Sequence, residues 1–520
     1  MRFHAILLLL PPSLAFQLPF SIPFFRPKSY STLEDDIQPS PPSSRIAIIG
    51  AGAGGSSAAF WISKAKERFG LEVEIDVYER ASYIGGRSTV VYPYSNSSLP
   101  PLELGASIFV PANKNLWRAA EEFNLTREDN VDDDVGIWDG DKLLVSFGGG
   151  WWDTAKVLWR YGFLSPRRTS SLVRNMVSRY LTLYTLKSPR WNNMSDLAVH
   201  LGWEDLVETS TSSYLVKQGV SASYVNELVE ASTRVNYGQN VDDIHALGGT
   251  VSMAAEGAIH IKGGNYQLFE QFLNHSGANV YLNTSVASIL PKSATSQNWV
   301  VRSDRGSTLY KAVILAAPFH TTHIALPPAV SEQILQVPYV HLHVTLLTTT
   351  SPSANPTYFN LSAGSKVPAM MLTTNFGARN GGKKPEFNSL SYHGLVREGE
   401  WAVKIFSKER ISDGWLQQMF DGQVGWVHRK EWDAYPRLPP TGSFPPIKLE
   451  HGFYYVNAFE PFISTMETET VASRNVVDLL LNEEFSSGIC GITSPTPGEE
   501  LFSGTLQVGV GEDPVFGWDC

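Results

Sequence analysis

The chain has 520 residues, with 41 basic and 51 acidic side chains and a net charge of −10. That balance excludes a strongly basic nucleic-acid binder, and a 43% hydrophobic, 18% charged composition excludes a chain disordered throughout. Two domains are expected at this length, and only two cysteines, Cys490 and Cys520, exclude both a disulfide-dense scaffold and a four-cysteine zinc site.

The first element is an address. Arg2 precedes an apolar run over residues 5–10, and Ser13-Leu14-Ala15 sets small residues at −3 and −1 of a cut, so residues 1–15 read as a signal peptide. Pro11 and Pro12 end the run well short of the ~20 residues a spanning helix needs, and no other stretch reaches that length. Residues 16–44 carry Pro19, Pro23, Pro27, Pro39, Pro41 and Pro42 and read as a linker. Six sequons, at Asn96, Asn124, Asn193, Asn274, Asn283 and Asn360, agree with passage through the secretory pathway, to a lysosome or vacuole or out of the cell. In that setting Cys490 and Cys520 can pair or remain free thiols.

A βαβ unit follows. Residues 45–49 form a β-branched strand leading into Gly50-Ala51-Gly52-Ala53-Gly54-Gly55, a helix is expected over 56–69, and residues 73–78 alternate as a second strand ending at Glu79. Gly50 permits the turn, Gly52 admits a pyrophosphate, and Gly55 lets helix and strand pack closely. The helix N-terminus attracts phosphate. Glu79, 24 residues past Gly55, can accept both ribose hydroxyls and disfavours a 2′-phosphate. Gly85-Gly86-Arg87 offers close approach and a guanidinium for the pyrophosphate.

Later strands return to the same domain. Residues 280–286 read as a strand, residues 312–317 as a core strand stopped by Pro318, and residues 452–457 as a last strand. Ser464 as N-cap with Glu467 at N3 reads as a capping box, and Ala472, Val476 and Leu480 continue a helix with one apolar face. Such an N-terminus aimed at a flavin pyrimidine would stabilise the charge of the reduced ring. The expected division is a cofactor domain built from 45–115, 251–318 and 449–485, a substrate domain from 116–250 and 319–448, and a tail over 486–520. The fold class is α/β, a discontinuous Rossmann-type FAD-binding domain with an α+β substrate-binding domain. Trp138, Phe147, Trp151, Trp152, Trp159, Tyr161 and Phe163 crowd one stretch, as core or as an apolar pocket.

No P-loop, H-E-x-x-H or G-x-S-x-G motif occurs. His341 and His343 alternate on a strand without a carboxylate partner in the sequence, which favours a structural role, and no metal site is expected. A bound cofactor is then expected to carry the reaction.

The glycine motif, Glu79-Arg80, Gly85-Gly86-Arg87 and Glu103-Leu104-Gly105-Ala106-Ser107 together resemble the flavin amine oxidase superfamily. Within it, Arg234-Val235-Asn236-Tyr237-Gly238-Gln239, Gly263-Gly264-Asn265, Asn457-Ala458-Phe459-Glu460 and Ser464-Thr465-Met466-Glu467 resemble the prenylcysteine oxidases, also called prenylcysteine lyases, over residues 45–485. The resemblance implies FAD, held by Gly50, Gly52, Gly54, Gly55, Glu79, Arg80, Gly86, Arg87, Gly105, Ala106, Ser107, Val286 (through its backbone), Glu460, Met466 and Glu467. It implies oxidation of S-farnesyl- or S-geranylgeranyl-cysteine. A hydride leaves C1 for flavin N5, water adds, and cysteine and a prenyl aldehyde separate while O2 yields hydrogen peroxide. Arg234 is the candidate contact for the substrate carboxylate. Peripheral membrane contact is compatible with such a substrate. The alternatives are a flavin amine or polyamine oxidase and a non-catalytic, flavin-containing lipid-binding protein.

Overall fold

The computed structural model describes residues 44–129, 134–148, 151–293, 296–491 and 514–520, with the side chains of 151–154 left aside. The signal peptide and nearly all the linker lie outside the described residues, as do the side chains of Trp151 and Trp152.

The βαβ unit forms strand β1 (Ser44–Ile49), helix α1 (Ala53–Phe69) and strand β2 (Val73–Tyr78). Helix α1 starts three residues before the expected Ser56, because Gly54 and Gly55 already adopt helical geometry and are buried. β1 sits in the middle of a six-stranded sheet. It pairs in parallel with β2 on one side and with Ala312–Leu315 on the other, Ile48 lying beside Val77 and Ile314. Asn279–Tyr281 extends the sheet beyond β2, and Phe453–Tyr455 then Lys448–Glu450 extend it beyond Ala312–Leu315. The sheet thus draws on segments separated by hundreds of residues. Ile46–Ile49 and Ala312–Leu315, at its centre, read as unbroken apolar runs because both faces are covered there.

The strand expected over 280–286 is two strands. Asn279–Tyr281 joins the parallel sheet, Asn283 turns at φ +50°, and Val286 opens a separate three-stranded sheet. The turn is fixed by hydrogen bonds from Thr284 N to Glu79 O and from Asn283 N to Ala81 O, both 2.9 Å. The last strand is likewise shorter than read, Phe453–Tyr455, and passes into a 3-10 turn over Val456–Phe459.

The second body of the fold is a seven-stranded mixed sheet. Its order is Val424–Pro436, Tyr339–Thr349, Glu400–Ser407, Ser389–Arg397, Met370–Thr373, Val135–Trp138, Leu143–Phe147. Helices between residues 151 and 252 accompany it. The aromatic stretch divides between inside and outside: Trp138 and Tyr161 are buried, whereas Trp159 is 89% exposed and Phe163 and Leu164 stand open beside it. Among the described residues no helix is long and apolar enough to cross a membrane.

The chain's end returns to the cofactor domain. Trp518 packs on Phe60 and Trp61, and Arg68 donates to the carbonyls of Gly517 and Trp518. Cys490 and Cys520 form a disulfide with a Cα–Cα separation of 5.2 Å. It closes a 30-residue loop, a length at which cross-linking stabilises by about 3.6 kcal/mol in the chain-entropy picture.

Candidate active site

The glycine turn is built by backbone contact. A side chain on Gly55 would collide with the Gly50 carbonyl, so only glycine lets α1 approach β1 here. Gly52 is the N-cap of α1 with no side-chain cap, so the first-turn N–H groups stay available to an anion. Gly52 bridges Gly85, and Gly85 N donates to Ala51 O at 2.9 Å, which brings the 85–87 turn over the loop. Glu79 is clamped from two sides: Ala51 N donates to Oε2 at 2.9 Å and Ala81 N to Oε1 at 2.8 Å. A carboxylate accepts about four hydrogen bonds, so capacity remains for ribose hydroxyls. Arg80 is exposed and donates to Thr321 O.

Arg87, expected at a pyrophosphate, has its guanidinium in an ion pair with Glu460 and a 3.0 Å hydrogen bond to Ala434 O. Tyr339 donates its hydroxyl to the other oxygen of Glu460. Burial opposes the charge of Arg87, but Glu460 more than offsets it and holds the guanidinium protonated, above its ordinary value. A second carboxyl, Glu469, stands close by. Burial, and then the charge of Glu460, raise it well above the usual carboxylate range, which favours its neutral form. It lies against the glycine loop, with its Oε2 3.1 Å from where a Cβ on Gly54 would sit. A neutral acid there donates a hydrogen bond and does not repel a diphosphate.

Residues 103–107 make the next wall. A side chain on Gly105 would strike the Arg87 carbonyl and the Trp432 ring. Asn265 locks the segment: its N–H donates to Glu103 Oε1 at 2.6 Å and its Nδ2 to Ala106 O at 3.1 Å. This gives the sequence block Gly263-Gly264-Asn265 a mechanical role. Lys404, on the substrate-domain strand Glu400–Ser407, reaches across and donates to Ser107 Oγ at 2.7 Å. Burial raises Glu103 and lowers Lys404, bringing their proton affinities toward each other near neutrality. His393, on the neighbouring strand Ser389–Arg397, keeps open surface. Burial, then Lys404 and His260, push its imidazole down to about 3, so it is neutral.

The C-terminal helix (Met466–Phe485) starts one residue later than the capping box read from Ser464 and Glu467. Thr465 is the N-cap and Thr468 the N3 partner. Two hydroxyl residues stand in a row, and Thr468 is drawn in by its bond to Ile463 O at 2.9 Å. Glu467 is released for another task. It accepts from Asn115 N and Leu116 N, each at 2.9 Å, and from the Tyr184 hydroxyl. It thereby caps helix α2 (Lys114–Glu122), whose own Asn113 provides no side-chain cap. The Glu467 side chain is therefore committed to packing the domain, while Met466 opens the helix at N1.

Arg234 is 2% exposed and donates to Thr373 Oγ1 and Asn240 Oδ1 at 3.0 Å and to Phe387 O at 3.4 Å. None of these acceptors is a carboxylate. Burial lowers its guanidinium to about 10. It lines a cavity of about 290 Å³ in which Lys384, Lys408 and Arg410 outnumber Glu386 and Glu409, beside Asn388, whose buried Nδ2 has no partner. That set suits an anion.

Sequence reasoning missed Lys404, His393, Glu469 and Tyr339. None belongs to a local motif; each arrives through strand or helix pairing. A flavin dinucleotide fits what is present. Ser88 Oγ, Glu103 Oε2, Trp432 Nε1, Asn457 Oδ1 and Glu469 Oε1 are buried and have no protein partner. They lie on the segments just described, and a long polar ligand would satisfy such atoms. The cofactor is FAD; the glycine loop and Glu79 would hold its adenosine diphosphate half, and residues 86–87, 103–107 and Met466 would line its ring.

Comparison with known proteins agrees with this geometry. A family model described as NAD(P)-binding Rossmann-like domain matches residues 48–123, and the model described as prenylcysteine lyase matches residues 148–489. Farnesylcysteine lyase of Arabidopsis thaliana is 32% identical over 84% of this chain and 88% of its own. Prenylcysteine oxidase 1 of Mus musculus is 29% identical over 84% and 89%. Among solved structures, putrescine oxidase with putrescine bound superposes with a TM-score of 0.55 at 14% identity, covering 84% of this chain and 99% of that one. Cyclohexylamine oxidase from Brevibacterium oxydans gives 0.56 at 14%, covering 85% and 99%. These two likenesses establish the amine oxidase fold alone. The match over residues 148–489 spans the walls of the cleft as well as its frame, and the chain belongs to the prenylcysteine lyase family.

Proposed function

We propose that this chain is an FAD-dependent thioether oxidase. It converts S-farnesyl- or S-geranylgeranyl-cysteine, O2 and water into prenyl aldehyde, cysteine and hydrogen peroxide. The observation that carries this reading is the family match across residues 148–489, the segment that supplies Lys404, His393, Tyr339 and the Arg234 cavity. Bound FAD supplies the two-electron acceptance, with O2 as terminal acceptor. In the balanced reaction C1 of the prenyl group is oxidised, the water oxygen becomes the aldehyde oxygen, and the C1–S bond breaks with a proton going to sulfur.

The chain's own residues have two tasks. Water adding at C1 releases a proton and the departing sulfur takes one. Lys404 Nζ, beside Ser107 Oγ, and the Glu103 carboxyl are buried groups with proton affinity near neutrality on this wall. Arg234, Lys408 and the free Asn388 Nδ2 would bind the substrate α-carboxylate.

The same proposal sets the protein in the secretory pathway, in a lysosome or vacuole or outside the cell. The Cys490–Cys520 disulfide supports an oxidising compartment, and Asn96, Asn124, Asn274, Asn283 and Asn360 are exposed for glycan attachment. Exposed Trp159, Phe163 and Leu164 support peripheral contact with the membranes from which a prenylated substrate is drawn. Peroxide release measured with farnesylcysteine, geranylgeranylcysteine and spermine tests the reaction class. Turnover of the prenylcysteines alone is expected; turnover of spermine alone would replace this reading with an amine oxidase.

A further inference from the structure

His341 and His343 lack an acidic partner in their own stretch of sequence, but the fold supplies two. The strand Val424–Pro436 runs antiparallel to Tyr339–Thr349 in a register that sets Glu431 opposite His343 and Asp433 opposite His341. All four side chains stand on one face; the alternate residues Leu342 and Trp432 pack on the other. His343 Nδ1 lies 3.5 Å from Glu431 Oε2, and His341 Nε2 lies 3.8 Å from the same oxygen. One donor atom from each of His341, His343 and Glu431 falls within 4.8 Å of the others. A single cation about 2.0–2.2 Å from imidazole and carboxylate ligands spans such separations.

Asp433 completes the arrangement from behind. Its Oδ1 is 3.1 Å from His341 Nδ1. A carboxylate can only accept there, so it fixes the Nδ1–H form and leaves the Nε2 lone pair facing the cluster. Carboxylates hold metal-bound histidines in this way and sharpen their affinity.

The local charges leave the site open. Among the described residues, Glu431 and Asp433 make ion pairs with these histidines only. Arg429, on the same face, is engaged by Asp413 and by the Ile411 carbonyl. A second cluster of similar composition, His451 with Glu483 and Glu484, differs here. Lys448 and Tyr454 occupy Glu483, and Lys311 stands 3.6 Å from Glu484.

We infer that His341, His343 and Glu431 bind a divalent cation of the zinc class, with Asp433 orienting His341 and water filling the fourth position. The ion ties the edge strand Val424–Pro436 to its neighbour. Trp432, on the reverse of that strand, packs against Gly105, so the tie stiffens the sheet behind the cofactor wall.

The test uses the FAD-loaded full chain, stripped with chelator and then freed of it. Zinc chloride titration followed by a competing chromophoric chelator should give one tight equivalent and a rise in Tm. His343→Ala and Glu431→Gln should weaken binding at least about tenfold and abolish the Tm rise, and Asp433→Asn should weaken it about tenfold. His451→Ala should leave both unchanged. An unaltered flavin spectrum confirms that each variant is folded. Cobalt chloride should add the visible bands of four-coordinate Co2+ to wild type and not to His343→Ala. Absence of a stoichiometric site, or equal binding by wild type and the His341→Ala/His343→Ala double variant, would overturn the inference.

Discussion

Glu467 and Asn115 are 352 residues apart in sequence and share a 2.9 Å hydrogen bond that joins the first turn of the C-terminal helix to the first turn of α2. Burial, opposed by the bonds from Tyr184, Asn115 and Leu116 and by Arg474, raises the Glu467 carboxyl to about 7. Between its unfolded value, about 4.3, and 7 the folded chain holds a proton that the unfolded chain has lost. Stability therefore falls as pH rises through that window, by about 3.7 kcal/mol at most. Denaturant unfolding at pH 5 and pH 8 should show this loss in wild type and a smaller one in Glu467→Gln. Glu467→Ala should be destabilised at both pH values by about 2 kcal/mol, because α2 loses its cap.

Glu469 gives a pH dependence to cofactor affinity. Burial and the charge of Glu460 favour the neutral form of its carboxyl, beside the glycine loop. Deprotonation puts a negative charge where the diphosphate of FAD belongs. Fluorescence titration of the apoprotein should show FAD affinity falling at alkaline pH, by about tenfold for each unit that FAD raises the Glu469 pKa. Glu469→Gln should bind FAD at least as well at pH 7 and remain flat as pH rises.

The Arg87–Glu460–Tyr339 chain should be intolerant of its acidic member. Glu460 is 1% exposed, and its removal leaves Arg87 without its counter-charge. Glu460→Gln should cost about 3 kcal/mol of stability and lower the FAD content of the purified protein. Tyr339→Phe removes one neutral donor and should cost about 1 kcal/mol. Thermal unfolding and the ratio of flavin to protein absorbance check both.

Arg234→Gln should raise the KM for farnesylcysteine about tenfold or more, the scale of a lost charged hydrogen bond, with the flavin spectrum intact. The same variant should leave the KM for the S-farnesyl thiol lacking a carboxylate unchanged. Equal effects on both substrates would assign Arg234 to the fold rather than to the carboxylate.

The frame was legible where the signal is local. A β-branched run, a glycine turn and a terminal acid identify β1, α1 and β2 because strand and helix periods and turn chemistry act within a few residues. Misreadings occurred where a distant group decided. Ser464 and Glu467 match a capping box in sequence, but Ile463 O draws in Thr468, and α2, over 350 residues earlier, claims Glu467. Likewise Val286 leaves the parallel sheet because the backbone at Glu79 and Ala81 holds residues 283–284. Lys404 and His393 could not be read as site residues, since nothing near them in sequence says that their strands face residues 103–107. The carboxylates beside His341 and His343 come from a strand some 90 residues away, through antiparallel register alone.

The central claim is oxidation at C1 of a prenyl thioether, and farnesylcysteine carrying two deuterium atoms at C1 tests it most directly. Incubated with O2, the protein should release cysteine, hydrogen peroxide and farnesal in equal amounts, the farnesal holding one deuterium in its aldehyde group. Release of farnesol retaining both deuterium atoms, with no peroxide, would contradict the account.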